Sequence, residues 1–170
     1  PQRIETKAMP FADHPLVVIA PPAHPLATAR RVPLASLADE TFLVREQGSG
    51  TRSSMERLFA ERGFIPKIGN VMSSNETIKQ AVMAGMGVSL LSLHTLGLEL
   101  RSDVIAILDV MGTPVTRTWH VVHMRTKSLS PPALEYRKFM LDNAAEFLER
   151  EFASYVAVRK SAKKSNRGKR

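Results

Sequence analysis

Three polar segments of the sequence have the residue types of an anion-binding site. Residues 48–51 (Gly-Ser-Gly-Thr) and residues 73–75 (Ser-Ser-Asn) each precede a helical pattern, and Ser92 with His94 follows an apolar run. Backbone N–H groups at a helix start carry partial positive charge, and small residues there let an anion approach them. The first segment is not a P-loop, because it lacks the Gly-Lys-Ser/Thr ending. On the residues alone, a structural turn is the simpler interpretation of it.

The other two segments also have ordinary explanations. Ser73 and Glu76 have capping-box spacing, which satisfies two backbone donors at a helix start and is worth about 1 kcal/mol. A binding role for Ser74 or Asn75 explains the same residue types equally well. Taken alone, His94 is a solvated loop histidine. Beside a phosphate or carboxylate it would form a pH-dependent pair, because the usual histidine pKa is about 6.5.

No constellation of residues indicates catalysis or metal binding. Ser49, Ser74 and Ser92 lack a nucleophile elbow or a paired base. His120 and His123 lie three apart on a predicted strand, where alternation sends them to opposite faces. With five histidines and no cysteines, the sequence predicts no metal site, no cofactor and no enzyme activity.

The pattern around these segments alternates strands and helices. Short apolar runs bounded by Pro, Gly or polar residues predict strands, and apolar residues at i, i+3 and i+4 predict helices. The order indicates an α/β sandwich with a mainly parallel sheet. Arg45 and Glu46, at the end of one strand, form either a pair that binds a ligand or, more commonly for such residues, a surface ion pair. The predicted strands are residues 16–20, 41–45, 68–72, 88–91, 104–110 and 118–124.

Composition limits the class of protein. The chain has 170 residues and a net charge of +8, but six of its basic residues lie from Lys160 onward, so the remaining sequence is nearly balanced. Such a tail is either a nucleic-acid tether or, more simply, a disordered solubilising extension. No apolar run reaches the ~20 residues of a membrane span. The absence of cysteine fits a reducing compartment.

Two elements fit poorly into the central α/β pattern. The strand at residues 16–20 and the long helix at residues 134–152 lie at opposite ends of the chain, with a compact α/β pattern between them. We expect them to belong to a second lobe whose other half is not in this sequence. Their apolar faces would then be exposed.

Residues 11–26, 42–52 and 73–92 together resemble the effector-binding domain of LysR-type transcriptional regulators. Within that family they are most similar to the regulators of RuBisCO (Calvin-cycle) operons. The resemblance implies a type 2 periplasmic-binding-protein-like α/β fold, with one complete α/β lobe and part of a second lobe.

The resemblance also implies domain boundaries. Residues 1–22 would supply a strand of the partial lobe I and the hinge, and residues 23–120 would form lobe II. Residues 121–155 would supply the returning strand and the C-terminal helix of lobe I. Residues 156–170 would form a basic disordered tail.

As a LysR-type domain the chain would sense an effector and perform no reaction. A small anionic metabolite, such as a phosphorylated Calvin-cycle intermediate or NADPH, would control DNA binding and transcription of carbon-fixation genes. By resemblance the effector contacts are Ser49, Gly50, Thr51, Ser74, Asn75, Ser92 and His94.

The resemblance further implies a cytoplasmic homodimer or homotetramer without membrane contact. DNA would be bound through an N-terminal helix-turn-helix that this chain lacks. The alternative is the solute-binding protein of a transporter, which has the same fold; the missing signal peptide and the basic tail argue against it. An enzyme on this fold would need an acid/base pair in the cleft, and none stands out.

Overall fold

The chain folds into two units, and one long strand contributes residues to both of them. The computed structural model describes residues 5–165, with side chains as far as residue 155. The first unit, here called the sheet unit, comprises residues 15–116. The second, the helix unit, combines the chain up to His14 with the chain from Arg117 onward. The lobe boundaries predicted from the sequence, after residues 22 and 120, lie eight and four residues beyond these divisions, which follow residues 14 and 116.

The sheet unit is built on a mixed β-sheet. Its strands are β1 (Thr6–Ala20), β2 (Thr41–Arg45), β3 (Lys67–Met72), β4 (Ser89–Ser92) and β5 (Ala106–Leu108). β2 pairs in parallel with β3, and a parallel bridge between Phe42 and Val88 joins β2 to the chain entering β4. β1 runs antiparallel to both β4 and β5. The sheet is therefore parallel around β2, as predicted, but antiparallel around β1.

Helices pack on this sheet through apolar stripes. They are the 3₁₀ turn η1 (Leu34–Leu37), α1 (Gly50–Glu61), α2 (Asn75–Met83), the 3₁₀ turn η2 (Leu93–Thr95) and α3 (Gly97–Arg101). The apolar stripe of α1 consists of Met55, Leu58 and Phe59, which are all buried. The Phe42 ring meets the rings of Phe59 and Phe64 edge to face, at centroid separations of 5.1 and 5.9 Å. Edge-to-face contacts of this kind add to the stabilisation from buried area.

The strand at residues 16–20 is placed differently from the prediction. Its residues are at most 3% exposed, and they lie between β4 and β5, with Val18 opposite both Leu90 and Leu108. The expectation that this strand presents an exposed apolar face to a missing lobe is therefore wrong. The strand completes the core of the sheet unit. Its partner strands, β4 and β5, follow much later in the sequence, so a local pattern does not show this pairing.

A glycine turn connects α2 to β4. The N–H groups of Gly85 and Met86 donate to the carbonyls of Val82 and Ala81, at 2.9 and 3.0 Å, which is a Schellman motif. Gly85 has φ +77° and Gly87 has φ +152°. Gly85 thus supplies the left-handed conformation that ends α2.

The helix unit contains β1, the strand β6 (Val115–Met124) and the helix α4 (Pro131–Ser165). β6 pairs with β1, and Trp119 stacks on His14 with a centroid separation of 4.3 Å. α4 buries Phe152 but exposes Tyr136, Phe139 and Phe147 by 64, 61 and 52%. On the predicted apolar face, Leu134 is 40% exposed but Phe152 is only 8% exposed, so the expected exposure of that face is borne out only in part.

The C-terminal segment is helical further than predicted. The sequence places a disordered tail from residue 156, whereas α4 continues to Ser165. Residues 156–165 contain Ala, Lys and Arg, which favour helices, and neither Pro nor Gly. Residues 166–170 lie outside the described residues, so the role of the basic tail stays a prediction.

Gly87→Ala should destabilise the sheet unit by roughly 3–5 kcal/mol, because this φ is nearly exclusive to glycine and the added methyl overpacks the site. A Cβ there would collide with the carbonyl oxygen of Thr41. Gly85→Ala is the matched control, since its Cβ meets nothing within 4 Å, and it should cost about 1 kcal/mol. Urea unfolding followed by circular dichroism measures both. Equal losses of stability in the two variants would contradict the close contact between Gly87 and the Thr41 carbonyl.

Candidate functional site

Parallel strand pairing brings the three predicted segments to one edge of the sheet. β2, β3 and β4 end at Arg45, Met72 and Ser92, and the register places Arg45 directly opposite Met72. The ends of these strands are called here the carboxyl edge. Because α1, α2 and η2 follow them directly, the starts of all three lie at this edge. Ligands in open α/β sheets bind at such edges.

The start of α1 is the better anion site of the two helix starts. Its N-cap residue is Ser49, whose side chain makes no capping hydrogen bond in the described structure, and the first turn holds no acidic residue. The hydroxyls of Ser53 and Ser54 bond back to the carbonyls of Ser49 and Gly50, at 3.2 and 2.9 Å. In the described structure, the first-turn N–H groups of α1 therefore have no side-chain cap, and the positive end of the helix dipole stays uncovered.

The start of α2 is already capped. Ser74 is the N-cap, and its Oγ accepts a hydrogen bond from the N–H of Glu76 at 3.1 Å. The predicted capping box of Ser73 with Glu76 is wrong by one residue, because the extended N-cap backbone belongs to Ser74 and the helix begins at Asn75. Glu76 also places a carboxylate in the first turn, which offsets the positive dipole end.

Arg45 ties the end of β2 to the start of α2. Its Nη1 donates to Oδ1 of Asn75 at 2.6 Å, while Nε and Nη2 donate to the two carboxylate oxygens of Glu46, each at 2.8 Å. The hydrogen bond with Glu46 raises the pKa of Arg45 and lowers the pKa of Glu46. The predicted Arg45–Glu46 pair is confirmed, but its contact with Asn75 could not be read from local spacing.

A second arginine supports the same edge. Arg52 donates from Nη1 to the carbonyl of Arg45 at 3.1 Å and from Nε to Glu56 at 2.8 Å. Its side chain is 14% exposed, so it lies along the protein instead of projecting outward. The guanidinium therefore fixes the end of β2 against the first turns of α1.

Ser92 and His94 lie at the end of β4 and in η2. Ser92 is 3% exposed, and its Oγ makes no hydrogen bond to any residue that the structure describes. A buried polar atom of this kind calls for a partner. His94 is partly buried, and desolvation lowers the pKa of its imidazole, so the neutral form is favoured at pH 7.

The sequence gives no sign of Lys79, whose ammonium group is buried behind this edge. It contacts Glu76 and Glu99, both at 2.7 Å. Lys79 follows the apolar Ile78 on α2, and Glu99 lies twenty residues further along the chain. No local pattern links the two residues, because their contact depends on how α3 packs against α2.

The groups at the carboxyl edge are suited to binding a ligand more than to catalysing a reaction. The edge offers an uncapped helix start, hydroxyls, two guanidinium groups and an imidazole. The guanidinium groups are neutralised by neighbouring carboxylates, which leaves directional N–H and O–H donors as the main attraction. Among the described residues, no group of three or more His, Cys, Asp or Glu side chains is arranged to hold a metal ion.

Comparison with known proteins identifies the family of the chain. The model of the LysR substrate binding domain matches residues 2–145. The HTH-type transcriptional regulator CfxR of Cupriavidus necator is 51% identical over 162 residues, which is 95% of this chain. A RuBisCO operon transcriptional regulator of Allochromatium vinosum is 52% identical over 145 residues, or 85% of the chain. The chain spans about half the length of these relatives, 51% and 48% respectively.

Solved structures confirm the predicted fold class. The regulatory domain of CcmR from Synechocystis PCC6803, solved in complex with 2-PG, matches with a TM-score of 0.77 and 39% sequence identity. The match covers 84% of this chain and 68% of that domain. Of the helices described here, none is both long enough and apolar enough to cross a membrane.

His94→Gln should reduce the loss of stability on acidification. Because the folded pKa of His94 is lowered, the unfolded chain takes up its proton first as the pH falls through about 6.5. The resulting stability is present above that pH and is lost as the pH falls through the folded pKa. Urea unfolding at pH 7.5 and pH 5.0 should show a smaller difference in the variant than in the wild type.

His120→Gln is the matched control for this experiment, because it removes an exposed histidine from β6 in the helix unit. An NMR titration that placed the His94 midpoint above 6.5 in the free protein would contradict the lowered pKa.

Proposed function

The chain belongs to the LysR substrate-binding domain family, and we propose that it is the effector-sensing part of a transcriptional regulator of carbon-fixation genes. The carboxyl edge of the sheet unit supplies one side of its effector site. The observation that carries the proposal is the 51% identity to CfxR across 95% of the chain. The RuBisCO operon regulator, 52% identical, supports the same class of target genes.

The effector is a small anion. The uncapped start of α1 supports this choice, because free backbone N–H groups bind phosphate and carboxylate oxygens with good geometry. Ser49, Gly50 and Thr51 would supply these donors. The CcmR domain was solved with 2-PG, which supports a phosphorylated small acid such as 2-phosphoglycolate; another phosphorylated Calvin-cycle intermediate and NADPH are the alternatives.

Two further groups of side chains would complete this wall of the site. Asn75 is oriented by Arg45, and the Ser74 hydroxyl still has its proton to donate because it acts as an acceptor in the cap. Ser92 has a buried hydroxyl that a ligand could satisfy. An anion bound beside His94 would raise its pKa, because the opposite charge favours the protonated imidazole.

The regulator works by binding and catalyses no reaction. A ligand shifts an equilibrium between two protein states only by its different affinity for them. We propose that this shift is passed, in a cytoplasmic homodimer or homotetramer, to an N-terminal helix-turn-helix outside these 170 residues. CfxR is itself described as an HTH-type regulator.

Thr51→Val should weaken 2-phosphoglycolate binding about 10- to 100-fold, since a hydrogen bond to a charged group is worth about 1.5–3 kcal/mol. Isothermal titration of the full-length protein measures the Kd. Thr77→Val, an exposed threonine on α2, is the matched control and should stay within twofold of the wild type. An unchanged Kd in Thr51→Val would remove the start of α1 from the site. A wild type that bound neither 2-phosphoglycolate, Calvin-cycle sugar phosphates nor NADPH would overturn the proposed effector class.

The bound effector should change operator binding by the full-length protein. Fluorescence anisotropy with promoter DNA of RuBisCO genes should show a different Kd or DNase I footprint with 2-phosphoglycolate present. Thr51→Val should keep the effector-free affinity for DNA and lose the response, because it alters the sensor and leaves the DNA contacts intact. A response of wild-type size in that variant would contradict the assignment.

A further inference from the structure

We propose that Lys79 is a positioning residue of the effector site. It holds the η2 turn, which carries His94, against α2, whose start carries Ser74 and Asn75. This inference rests on the proposed function, because it assigns Lys79 a role in shaping the same wall.

The ammonium group of Lys79 has an acceptor for each of its three protons. It donates to Oε1 of Glu99 at 2.7 Å, to the carbonyl of Thr95 at 3.3 Å and to Oε2 of Glu76 at 2.7 Å. Lys79 is 8% exposed and Glu99 is 6% exposed. The three acceptors belong to α2, η2 and α3, so one side chain joins the helix before β4 to the two helical segments that follow β4.

The η2 turn depends on such outside support. It has a single turn, closed by the bond from the Leu96 N–H to the Leu93 carbonyl at 3.1 Å and by Thr95 Oγ1 donating to the Ser92 carbonyl at 2.8 Å. A short 3₁₀ turn has poor hydrogen-bond geometry and little stability of its own. The contact with the Thr95 carbonyl fixes the turn at its C-terminal end, next to His94.

Stability alone gives no reason for the buried pair. Taking two charges out of water costs as much as their attraction returns, and well-packed apolar residues of similar volume are often as stable. Oε2 of Glu99 also makes no hydrogen bond to the described residues. An apolar pair would fill the same space but could not fix the direction of the Thr95 carbonyl.

Lys79 is one of three charged links in the wall, together with Arg52, which ties the end of β2 to α1, and Arg45. Arg45 joins β2 to α2 through Asn75, and Lys79 joins α2 to η2 through Thr95. The three segments that would contact the effector are thereby fixed relative to one another before a ligand arrives. Such preorganisation improves affinity by lowering the ordering cost of binding.

The test replaces the pair by apolar residues of similar length, as Lys79→Met with Glu99→Met. The matched control is Arg57→Met with Glu61→Met, which removes an exposed i,i+4 pair on α1 whose closest nitrogen and oxygen atoms are 4.0 Å apart. The measurements on full-length protein are thermal unfolding, amide hydrogen exchange without ligand, and the Kd for 2-phosphoglycolate, with inorganic phosphate as a second probe.

The double variant should unfold near the wild-type temperature, yet exchange the amide of Leu96 at least tenfold faster and bind 2-phosphoglycolate about tenfold more weakly. Exchange in the middle of β4, at Leu90, should not change, and the α1 control should match the wild type in all three measurements. A folded double variant with wild-type exchange at Leu96 overturns the inference, as does wild-type affinity in the presence of faster exchange.

Lys79→Gln covers the case in which the double variant fails to fold. Its amide can donate to fewer acceptors than the ammonium group, so we expect smaller increases in Leu96 exchange and in the Kd for 2-phosphoglycolate. If neither increase occurs, the inference is overturned. If the wild type binds none of 2-phosphoglycolate, the Calvin-cycle sugar phosphates and NADPH, the proposed function fails, while ligand-free exchange still decides whether Lys79 holds η2.

Discussion

The candidate site depends on the parallel pairing of β2 with its two neighbours. Phe42 lies opposite Ile68 of β3 and Val88 before β4, and it is fully buried against the α1 side of the core. Hydrogen bonds from Leu43 N–H to Val88 and from Val88 N–H to Thr41, at 2.8 and 2.9 Å, fix the β2–β4 register. Since parallel strands end at the same edge, this pairing alone brings the starts of α1, α2 and η2 together.

The polar side chains at that edge divide into those that build the wall and those left for a ligand. Arg45, Arg52 and Lys79 are engaged with carboxylates and carbonyls of the chain. The start of α2 is satisfied by Ser74. What remains is the uncapped first turn of α1 and the buried hydroxyl of Ser92. The residue types alone favour ordinary explanations for residues 48–51 and His94, whereas the structure shows which polar groups at the edge lack a side-chain partner among the described residues.

Local patterns predicted the elements better than their partners. The strand at residues 41–45 and the helix start at residues 48–51 follow from short-range chemistry, and the structure places both as expected. The role of the strand at residues 16–20 could not be predicted, because its pairing with β4 and β5 joins residues seventy or more positions apart. The cap of α2 was missed by one residue because adjacent serines offer the same hydroxyl.

Within the site, the contacts of Lys79 and Arg45 could not be predicted from local patterns either. Each reaches across to another element, Lys79 to residue 99 and Arg45 to residue 75, and neither spacing belongs to a helix or strand period. Long polar side chains at such positions are read from sequence as solvated, since Lys and Arg are seldom fully buried. Their burial becomes visible only when the packing of helices on the sheet is known.

Under the proposed function, the selectivity of the site also depends on which polar groups build the wall and which are left for the ligand. Glu46 and Glu56 neutralise the two arginines at the edge, so the site does not attract every anion through net charge, and surface attraction is in any case screened by salt. Affinity must come from N–H and O–H donors whose directions are fixed by the surrounding ion pairs. A ligand with misplaced oxygens would leave these donors unsatisfied at a cost of about 1–3 kcal/mol each. Rigid, nearly neutral walls therefore favour one metabolite over abundant inorganic phosphate better than a strongly basic pocket would.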